Sequence, residues 1–183
     1  MNILMVTMGL GIGGAETHIL ELARCLRAGG HGVTVVSNGG VYVDALIAAG
    51  VRHVDAPLHS KHPAALLRSW RTLRRLVRGE RFDVIHAHAR IPGFLSSIVA
   101  RQEDIPFVTT FHGVFNPVWY WRLLTRTGER ALAVSEDVRE YLEKWYHMPA
   151  DRITVTVNGI DVDAFRAGKP PAELAAPERR TIL

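Results

Sequence analysis

A glycine-rich turn near the start of the chain has the composition of a phosphate-binding site. Residues 9–16, Gly-Leu-Gly-Ile-Gly-Gly-Ala-Glu, directly follow the apolar run of residues 3–6 and lead into a helical pattern. At a strand–turn–helix junction, backbone N–H groups point outward, the helix dipole favours negative charge, and glycines without a Cβ atom let a ligand approach. The turn is therefore predicted to face a phosphate group.

The same turn also contains the dinucleotide pattern G-x-G-x-x-G, through Gly9, Gly11 and Gly14. A nicotinamide-binding fold places an acidic residue at the end of its second strand, where the carboxylate binds the ribose hydroxyls. Here that strand ends in Ser37-Asn38, with neither an acid nor an arginine for a 2′-phosphate. An NAD(P)-binding oxidoreductase domain stays open as an alternative, as does a turn whose glycines serve only the backbone.

Histidines follow two neighbouring predicted strands. His86 and His88 lie two residues apart at one strand end, so their side chains share a face, and His112 follows the next strand. Three histidines on adjacent strand ends can hold zinc, which is one interpretation. In the other, one of the paired histidines packs inside and the other lines a cleft. Arg90, two residues after His88, suits an anionic ligand.

Composition restricts the class of protein. At 183 residues, with 48% hydrophobic residues, the chain has the size of one globular domain. The net charge of +4 suits anionic ligands but does not imply nucleic acid. Cys25 is the single cysteine, which excludes an internal disulfide and fits a reducing cytoplasm. The sequence has no signal-peptide pattern and no apolar run of the ~18 residues that a membrane span needs, so a cytoplasmic protein is predicted.

Apolar strand-like runs alternate with amphipathic helix-like runs. This alternation predicts a doubly wound, Rossmann-like α/β fold: a mainly parallel sheet with helices on both faces, and its ligand-binding edge where the strands end. Strands are predicted over residues 3–7, 32–37, 51–54, 84–86, 107–110, 131–134 and 154–157. Helices are predicted over residues 15–28, 43–49, 64–78, 92–101, 119–127 and 136–145.

The composition changes near the end of the chain. Residues 1–168 carry the strand–helix alternation and are predicted to form one domain. Residues 169–180 are rich in proline, alanine and glutamate, as linkers are, and residues 181–183 resemble the opening of a strand. We therefore expect residues 169–183 to be a linker and the start of a second domain that this chain lacks.

Five short segments, in the same order and at the same strand ends, resemble the acceptor-side domain of GT-B glycosyltransferases of family 4, also called group 1. The segments are GGAETH at residues 13–18, DVIHAH at 83–88, TTFHG at 109–113, AVSE at 133–136 and VNGID at 157–161. Together they cover nearly the whole chain. The resemblance implies one half of a GT-B architecture, in which the other, carboxyl-terminal domain holds most of the nucleotide-sugar donor.

The resemblance also implies roles for individual residues. It places the backbone of Gly14 against the donor diphosphate and His112 beside the anomeric carbon and the hydroxyls of the transferred sugar. The full set is Gly13, Gly14 and Asn158 on the donor and cleft side, Glu16, His18 and Arg90 toward the acceptor, and His112 at the reacting centre.

The implied reaction is the retaining transfer of a sugar from a nucleoside diphosphate to a hydroxyl of a glycan, lipid or small metabolite, without a metal or other cofactor. Backbone N–H donors stabilise charge on the leaving diphosphate, and a histidine can orient sugar hydroxyls. The family's paired glutamates, seven residues apart, have no counterpart here. The chain alone is therefore expected to transfer nothing, and the alternative is a non-catalytic half-subunit that needs a partner chain.

Two further segments combine basic and apolar residues. Residues 64–81 form a basic amphipathic pattern, which is typical either of peripheral membrane contact on the inner face or of a sheet-covering helix with a solvated side, the favoured interpretation. Its predicted apolar stripe is Leu66, Leu67, Trp70, Leu73 and Val77, with arginines at Arg68, Arg71, Arg74, Arg75 and Arg78. The aromatic segment of residues 118–124 fits an interface if exposed and a core if buried.

Overall fold

Strands and helices alternate in the computed structural model, which describes residues 1–115, 122, 124–157 and 159. The strands are β1 (Asn2–Val6), β2 (Gly32–Ser37), β3 (Arg52–Asp55), β4 (Val84–Ala87), β5 (Phe107–Phe111), β6 (Arg130–Ala133) and β7 (Ile153–Val155). The helices are α1 (Gly14–Ala28), α2 (Val43–Ala48), α3 (Pro63–Gly79), α4 (Arg90–Glu103) and α5 (Glu136–Tyr146).

The described strands form one parallel sheet in the order β3-β2-β1-β4-β5-β6-β7, which confirms the predicted fold class. After β1 the chain builds outward through β2 and β3, and α3 then carries it back to β4 on the other side of β1. The direction of winding therefore reverses between β1 and β4. Open α/β sheets bind ligands in the crevice at the carboxyl ends of the two strands that flank such a reversal.

Both faces of the sheet are buried, because the side chains of the central strand alternate between two cores. Leu4 and Val6 of β1 pack into the cluster under α3 and α4, with Leu73 among their partners. Met5, which points the other way, packs with Ile19 of α1 on the opposite face. The period of two along a strand thus explains why β1 is almost continuously apolar.

Local sequence sets the helix ends. Helix α1 stops at Gly29-Gly30, where Gly30 has φ +81°, a left-handed conformation that glycine adopts without strain. Helix α5 begins after Ser135, whose Oγ accepts a hydrogen bond from the backbone N–H of Val138. These ends fix the loops that lead into and out of the carboxyl edge of the sheet.

Element boundaries differ from the sequence predictions at several places. The seventh strand is Ile153–Val155 rather than 154–157, because its last ladder bond runs from Thr156 N to Ala133 O. Of the helix predicted over residues 119–127, residues 119–121 and 123 lie outside the described residues. Arg122 and Leu124 are helical, whereas Thr125, Arg126 and Thr127 are not. The predicted linker of residues 169–183 also lies outside the described part of the chain.

Helix α3 covers the sheet, as the favoured interpretation predicts. Its buried face includes Ser69, Leu73 and Leu76, and Arg74 and Arg78 pair with Glu103 of α4. The predicted apolar stripe was wrong at Leu67, which is 45% exposed. Leu67 precedes the buried Ser69 by two residues, which is a rotation of about 200° around the helix axis, so it faces away from the buried side. None of the described helices is long and apolar enough to cross a bilayer. Peripheral membrane contact stays a prediction.

Candidate functional site

A cavity of about 290 Å³ opens at the carboxyl ends of β4 and β5, beside the reversal in strand order. Five parts of the chain reach it: the turn and helix after β1, the end of β4 with the start of α4, the end of β5 with the loop after it, the segment before β6, and α5. The residues that line it are Met8, Ala15, Ala87, His88, Ala89, Arg90, Thr109, Thr110, Phe111, His112, Phe115, Thr125, Arg126, Tyr141 and Tyr146.

His88 and His112 line one side of the cavity, and together with the neighbouring His18 and His86 they form what we define as the histidine wall. His88 Nδ1 and His112 Nε2 lie 3.3 Å apart, at hydrogen-bonding distance, and their rings are stacked. The ring of His86 lies 4.1 Å from that of His88, and the ring of His18 lies 5.1 Å from that of His112, measured between centroids. The wall therefore joins α1, β4 and the loop after β5.

Burial keeps three members of the histidine wall, His86, His88 and His112, uncharged at neutral pH. Loss of water lowers the pKa of His86 to about 3 and that of His112 to about 4, and repulsion from the neighbouring imidazoles lowers both further. The pKa of His88, which is 5% exposed, is lowered well below its usual value for the same two reasons. Neutral imidazoles offer one donor and one acceptor each, which suits hydrogen bonds to hydroxyl groups.

His86 and His88 share a face of β4 but have different environments. His86 is buried, and its Nε2 lies 2.7 Å from Thr110 Oγ1 on β5, whereas His88 lines the cavity. This matches the interpretation in which one histidine packs inside and the other lines the cleft. Within the described part of the chain, no group of three or more His, Cys, Asp or Glu residues is arranged to hold a metal ion. The zinc interpretation of these histidines does not fit that geometry.

The other side is an arginine–tyrosine wall, defined as Arg90, Thr125, Tyr141 and Tyr146. Thr125 Oγ1 lies 3.1 Å from Arg90 Nε and 3.4 Å from the Tyr146 hydroxyl, which lies 3.2 Å from that of Tyr141. Burial and the contact with Tyr146 raise the pKa of Tyr141 to about 12, so its hydroxyl keeps its proton. This wall presents a permanent positive charge and several hydroxyl groups to the cavity.

The glycine turn leads into α1 with its backbone exposed. Leu10 N–H bonds to Gly39 O and Thr17 N–H to Gly13 O. Between them, the N–H groups of residues 11–14 donate to no backbone carbonyl among the described residues. Such N–H groups at a helix N-terminus are suited to an anion.

The glycines of this turn are not required by the fold. Gly11, Gly13 and Gly14 are absent from the positive-φ positions of the described chain. A Cβ on Gly11 or Gly14 would meet nothing within 4 Å, and one on Gly13 would meet only the flexible Glu16 carboxylate. Gly40, by contrast, has φ +141°, and a Cβ there would overlap the Leu10 carbonyl. The space over the first turn of α1 is therefore open to a ligand.

The end of β2 is built differently from a dinucleotide site. Ser37 is fully buried, its Oγ lies 2.8 Å from His53 Nε2, and it accepts a hydrogen bond from the Gly39 N–H. Ser37 thus stands at the position where a dinucleotide site needs a ribose-binding acid, and its hydroxyl forms hydrogen bonds within the domain. This geometry argues against the oxidoreductase alternative.

The structure brings some of the sequence-predicted site residues together and separates others. His112 and Arg90 line the same cavity, and His18 packs against the His112 ring. Glu16, with its carboxylate over Gly13, lies at the start of α1 and is not among the residues that line the cavity. Gly13 and Gly14 adjoin Ala15, which does line it, and Asn158 lies outside the described residues.

Sequence reasoning missed part of the arginine–tyrosine wall. Tyr141 follows Val138 by three residues, a helical spacing that indicates core, and both residues are indeed buried. Thr125 falls in a segment that was predicted to be helical. Thr110 offered a usable signal, because it lies two residues before His112 in the same motif and so at the same strand end.

Comparison with known proteins identifies the family of the chain. Residues 12–164 match the model of Glycosyltransferase Family 4. A D-inositol 3-phosphate glycosyltransferase of Frankia alni is 32% identical over 86% of this chain and 46% of its own length. A phosphatidyl-myo-inositol mannosyltransferase of Mycolicibacterium smegmatis is 27% identical over 93% of this chain and 46% of its own. The chain thus spans about half the length of the curated relatives it matches.

Solved structures show the same fold. A glycosyltransferase from Rickettsia africae superposes with a TM-score of 0.78 at 25% identity, covering 95% of this chain and 48% of that one. The Anabaena protein HepE in complex with UDP superposes with a TM-score of 0.73 at 17% identity, covering 90% of this chain and 46% of that one. The chain belongs to Glycosyltransferase Family 4, and its sheet is the Rossmann-like half of a GT-B architecture.

Proposed function

We propose that the chain is the amino-terminal, acceptor-side domain of a retaining glycosyltransferase, of the hexosyltransferase type. The complete enzyme moves a sugar from a nucleoside diphosphate to a hydroxyl acceptor, and this chain is inactive without a carboxyl-terminal donor domain. The observation that carries the proposal is the position of His112: neutral, on the cavity at the reversal in strand order, and beside the first turns of α1. Residues 1–168 form the proposed domain, and residues 169–183 form the proposed linker and the start of the donor domain.

The proposed chemistry uses the glycine turn and His112 on different parts of the donor. The bond from the anomeric carbon to the diphosphate breaks, and both electrons leave with the diphosphate. The acceptor oxygen forms the new bond to that carbon, and its proton passes to a diphosphate oxygen. The backbone N–H groups of Gly13 and Gly14 stabilise the leaving charge. His112 exchanges hydrogen bonds with the hydroxyls of the transferred sugar, which its neutral ring allows. No metal enters this scheme.

We assign the acceptor to the arginine–tyrosine wall. Arg90 supplies a permanent charge at the cavity, so an acceptor that carries a phosphate fits better than a neutral one. Two relatives are named for inositol compounds, a D-inositol 3-phosphate and a phosphatidyl-myo-inositol, which supports this class. Glu16 and His18 are proposed to face the acceptor mouth, and Asn158 the cleft between the domains.

A transfer assay tests the proposal. The complete polypeptide that contains this domain is incubated with UDP- and GDP-sugars and inositol phosphate, and the anomeric configuration of the product is read by proton NMR. We expect transfer with retention from the complete polypeptide and none from the 183-residue chain alone. Inversion would contradict the retaining mechanism. Micromolar binding of NADPH, followed by its fluorescence, would instead support the oxidoreductase alternative.

A further inference from the structure

The loop after β2, residues 38–42, holds the start of the glycine turn. It binds the backbone of Leu10 on both sides: the Leu10 N–H donates to Gly39 O over 2.8 Å, and the Leu10 C=O accepts from the Tyr42 N–H over 3.2 Å. Leu10 is also fully buried in the core on the α1 face of the sheet. It directly precedes residues 11–14, which carry the N–H groups proposed to bind the donor diphosphate. The direction of those N–H groups therefore depends on the loop after β2.

Two glycines give this loop its shape and leave it with much conformational freedom. Gly39 has φ +78° and Gly40 has φ +141°, both in the left-handed range. Glycine adopts this range readily, but it also loses more conformational freedom on folding than any other residue. A loop of this kind keeps a single conformation only if hydrogen bonds hold it. The bond made by the Gly39 N–H therefore limits how far the loop, and with it Leu10, can move.

Ser37 accepts that bond, and His53 of β3 holds Ser37 in place. The Ser37 Oγ accepts from the Gly39 N–H over 3.1 Å and lies 2.8 Å from His53 Nε2. A hydroxyl accepts two hydrogen bonds and donates one, so both contacts form whichever of Ser37 and His53 donates to the other. A serine side chain has three staggered rotamers, and the contact with His53 favours the one that points Oγ at Gly39.

Burial makes these contacts costly to break. Ser37 is fully buried and His53 is half-buried. Burial lowers the pKa of His53, against the opposite effect of the nearby Asp55 carboxylate, so the ring is neutral at pH 7. A buried hydroxyl that loses a partner bears the cost of its own desolvation. The contacts thus form a continuous series from His53 on β3, through Ser37 and Gly39, to Leu10 after β1.

We propose that Ser37 is a positioning residue for donor binding: its hydroxyl, held by His53, fixes Gly39 and thereby the Leu10 peptide that aims the N–H groups of residues 11–14. The value of this for catalysis rests on the proposed function of the glycine turn, whereas the hydrogen bonds themselves do not. At this strand end a dinucleotide site carries an acid that binds the ribose directly. Here Ser37 acts on the phosphate side of the ligand, through the backbone.

Amide hydrogen exchange in the 183-residue chain tests this series of hydrogen bonds without a substrate. In Ser37→Ala, which removes the acceptor, we expect the Gly39 and Leu10 amides to exchange about 2–10-fold faster, relative to the Met5 amide in the middle of β1. Leu10 is the informative residue, because its own acceptor, Gly39 O, is unaltered in this variant. Unchanged protection of the Leu10 amide would overturn the proposal.

Variants at His53 test the support of Ser37 and keep the test decisive where Ser37→Ala fails to fold. His53→Leu removes the ring nitrogen, and we expect the Leu10 amide to exchange faster in it. His53→Gln places an amide group near the position of Nε2, and exchange is expected to stay near the native rate. Equally fast exchange of the Leu10 amide in the two variants would overturn the role of the hydrogen bond to Ser37.

Val54→Ala is the matched control. Val54 neighbours His53 on β3 but packs on the other face, against the cluster under α3 and α4, so the change loosens the same strand without removing a hydrogen bond to Ser37. We expect the Leu10 amide, relative to Met5, to keep its native exchange rate. An equal rise in Val54→Ala and His53→Leu would mean that the packing of β3 holds the loop, and would overturn the proposal.

Kinetics separate this inference from the proposed function. In the complete polypeptide, Ser37→Ala is expected to lower kcat/KM for the sugar-nucleotide donor about 2–10-fold while the acceptor KM stays unchanged. Equal losses for donor and acceptor would indicate general loosening and overturn the positioning role. If the native polypeptide transfers sugar and Ser37→Ala uses the donor equally well, the positioning role fails while the function stands. If the exchange results hold but the native polypeptide transfers no sugar, the function fails while the hydrogen bonds stand.

Discussion

The two walls of the cavity differ in how their charge is set. The histidine wall contains imidazoles that burial and mutual repulsion keep neutral, with the pKa of His112 lowered to about 4. The arginine–tyrosine wall contains Arg90, whose guanidinium stays charged at every relevant pH and lies 3.1 Å from Thr125 through its Nε. The neutral imidazoles can donate and accept hydrogen bonds, whereas the Arg90 guanidinium can only donate them and attract anions.

This difference fits the different roles proposed for the two walls. A group that contacts changing charge in a transition state, the role proposed for His112, is most useful if it is preorganised and needs no proton uptake. A group that holds one end of an acceptor, the role proposed for Arg90, needs only a steady electrostatic attraction. We therefore expect substitutions in the histidine wall to lower kcat, and substitutions in the arginine–tyrosine wall to raise the acceptor KM.

The largest expected effect comes from His112. In the complete polypeptide, His112→Ala is expected to lower kcat about 10²–10³-fold, the usual cost of losing one preorganised transition-state contact. Initial-rate kinetics with a saturating donor give kcat, and circular dichroism checks the fold. His59→Ala serves as the control, because His59 is exposed and outside the histidine wall. Undiminished turnover in His112→Ala would remove this residue from the reaction and with it the distinction between the walls.

The next effect is at Arg90. Loss of a charge-assisted hydrogen bond costs about 1.5–3 kcal/mol, so Arg90→Gln is expected to raise the KM for a phosphate-bearing acceptor about 10–100-fold with kcat changed less. Acceptor titrations at a saturating donor measure this split. Arg101→Gln, an exposed arginine in the last turn of the same helix, is the matched control. A fall in kcat alone would assign Arg90 to the reacting centre and break the comparison.

A smaller effect concerns the glycine turn. Gly14→Ala is expected to leave the free energy of unfolding unchanged or raise it by about 0.5–1 kcal/mol, because alanine is the better helix former and its Cβ meets nothing within 4 Å. The same substitution is expected to raise the donor KM about tenfold by intruding on the diphosphate. Donor titrations and urea unfolding measure the two quantities.

Gly40→Ala provides the contrasting variant for the glycine turn. Its positive φ and the overlap of a Cβ with the Leu10 carbonyl should cost about 1–3 kcal/mol of stability. If Gly14→Ala lost stability to the same extent as Gly40→Ala, the glycines of the turn would belong to the fold rather than to a ligand.

The sequence predicted the fold more completely than the site. The continuous apolar run along a strand such as β1 results from burial on both faces of the sheet, and it is a local pattern that is visible in the sequence. The sequence motifs also pointed to His112 and Arg90, both of which line the cavity. Contacts between residues that are distant in the sequence were harder to predict. His86 and Thr110, for example, are in contact although they lie 24 positions apart. Tyr141 was not predicted to line the cavity, because its spacing along the helix is the same as that of core residues. The position of Glu16 over Gly13 depends on a single side-chain rotamer, which a sequence pattern does not specify.

The last expected effect concerns stability rather than activity: a dependence on pH to which the histidine wall contributes and the arginine–tyrosine wall does not. The folded-state pKa values of His86 and His112, about 3 and about 4, lie below the ordinary 6.5 of an unfolded histidine. The unfolded chain therefore binds more protons as pH falls below 6.5, and the free energy of unfolding decreases toward pH 4. The slope is at most about 1.4 kcal/mol per pH unit for each such histidine.

Urea unfolding between pH 7.5 and 5 measures this slope, in a range where carboxylates, including the Glu103 carboxylate whose pKa is lowered by Arg74 and Arg78, stay ionised. We expect His112→Asn to reduce the slope, because one of the histidines that stay neutral in the fold is removed. Arg90→Gln should leave it unchanged, since guanidinium groups do not titrate in this range. A flat native profile would show that the histidine wall takes up protons while folded, and the two walls would then carry the same sign of charge at pH 5.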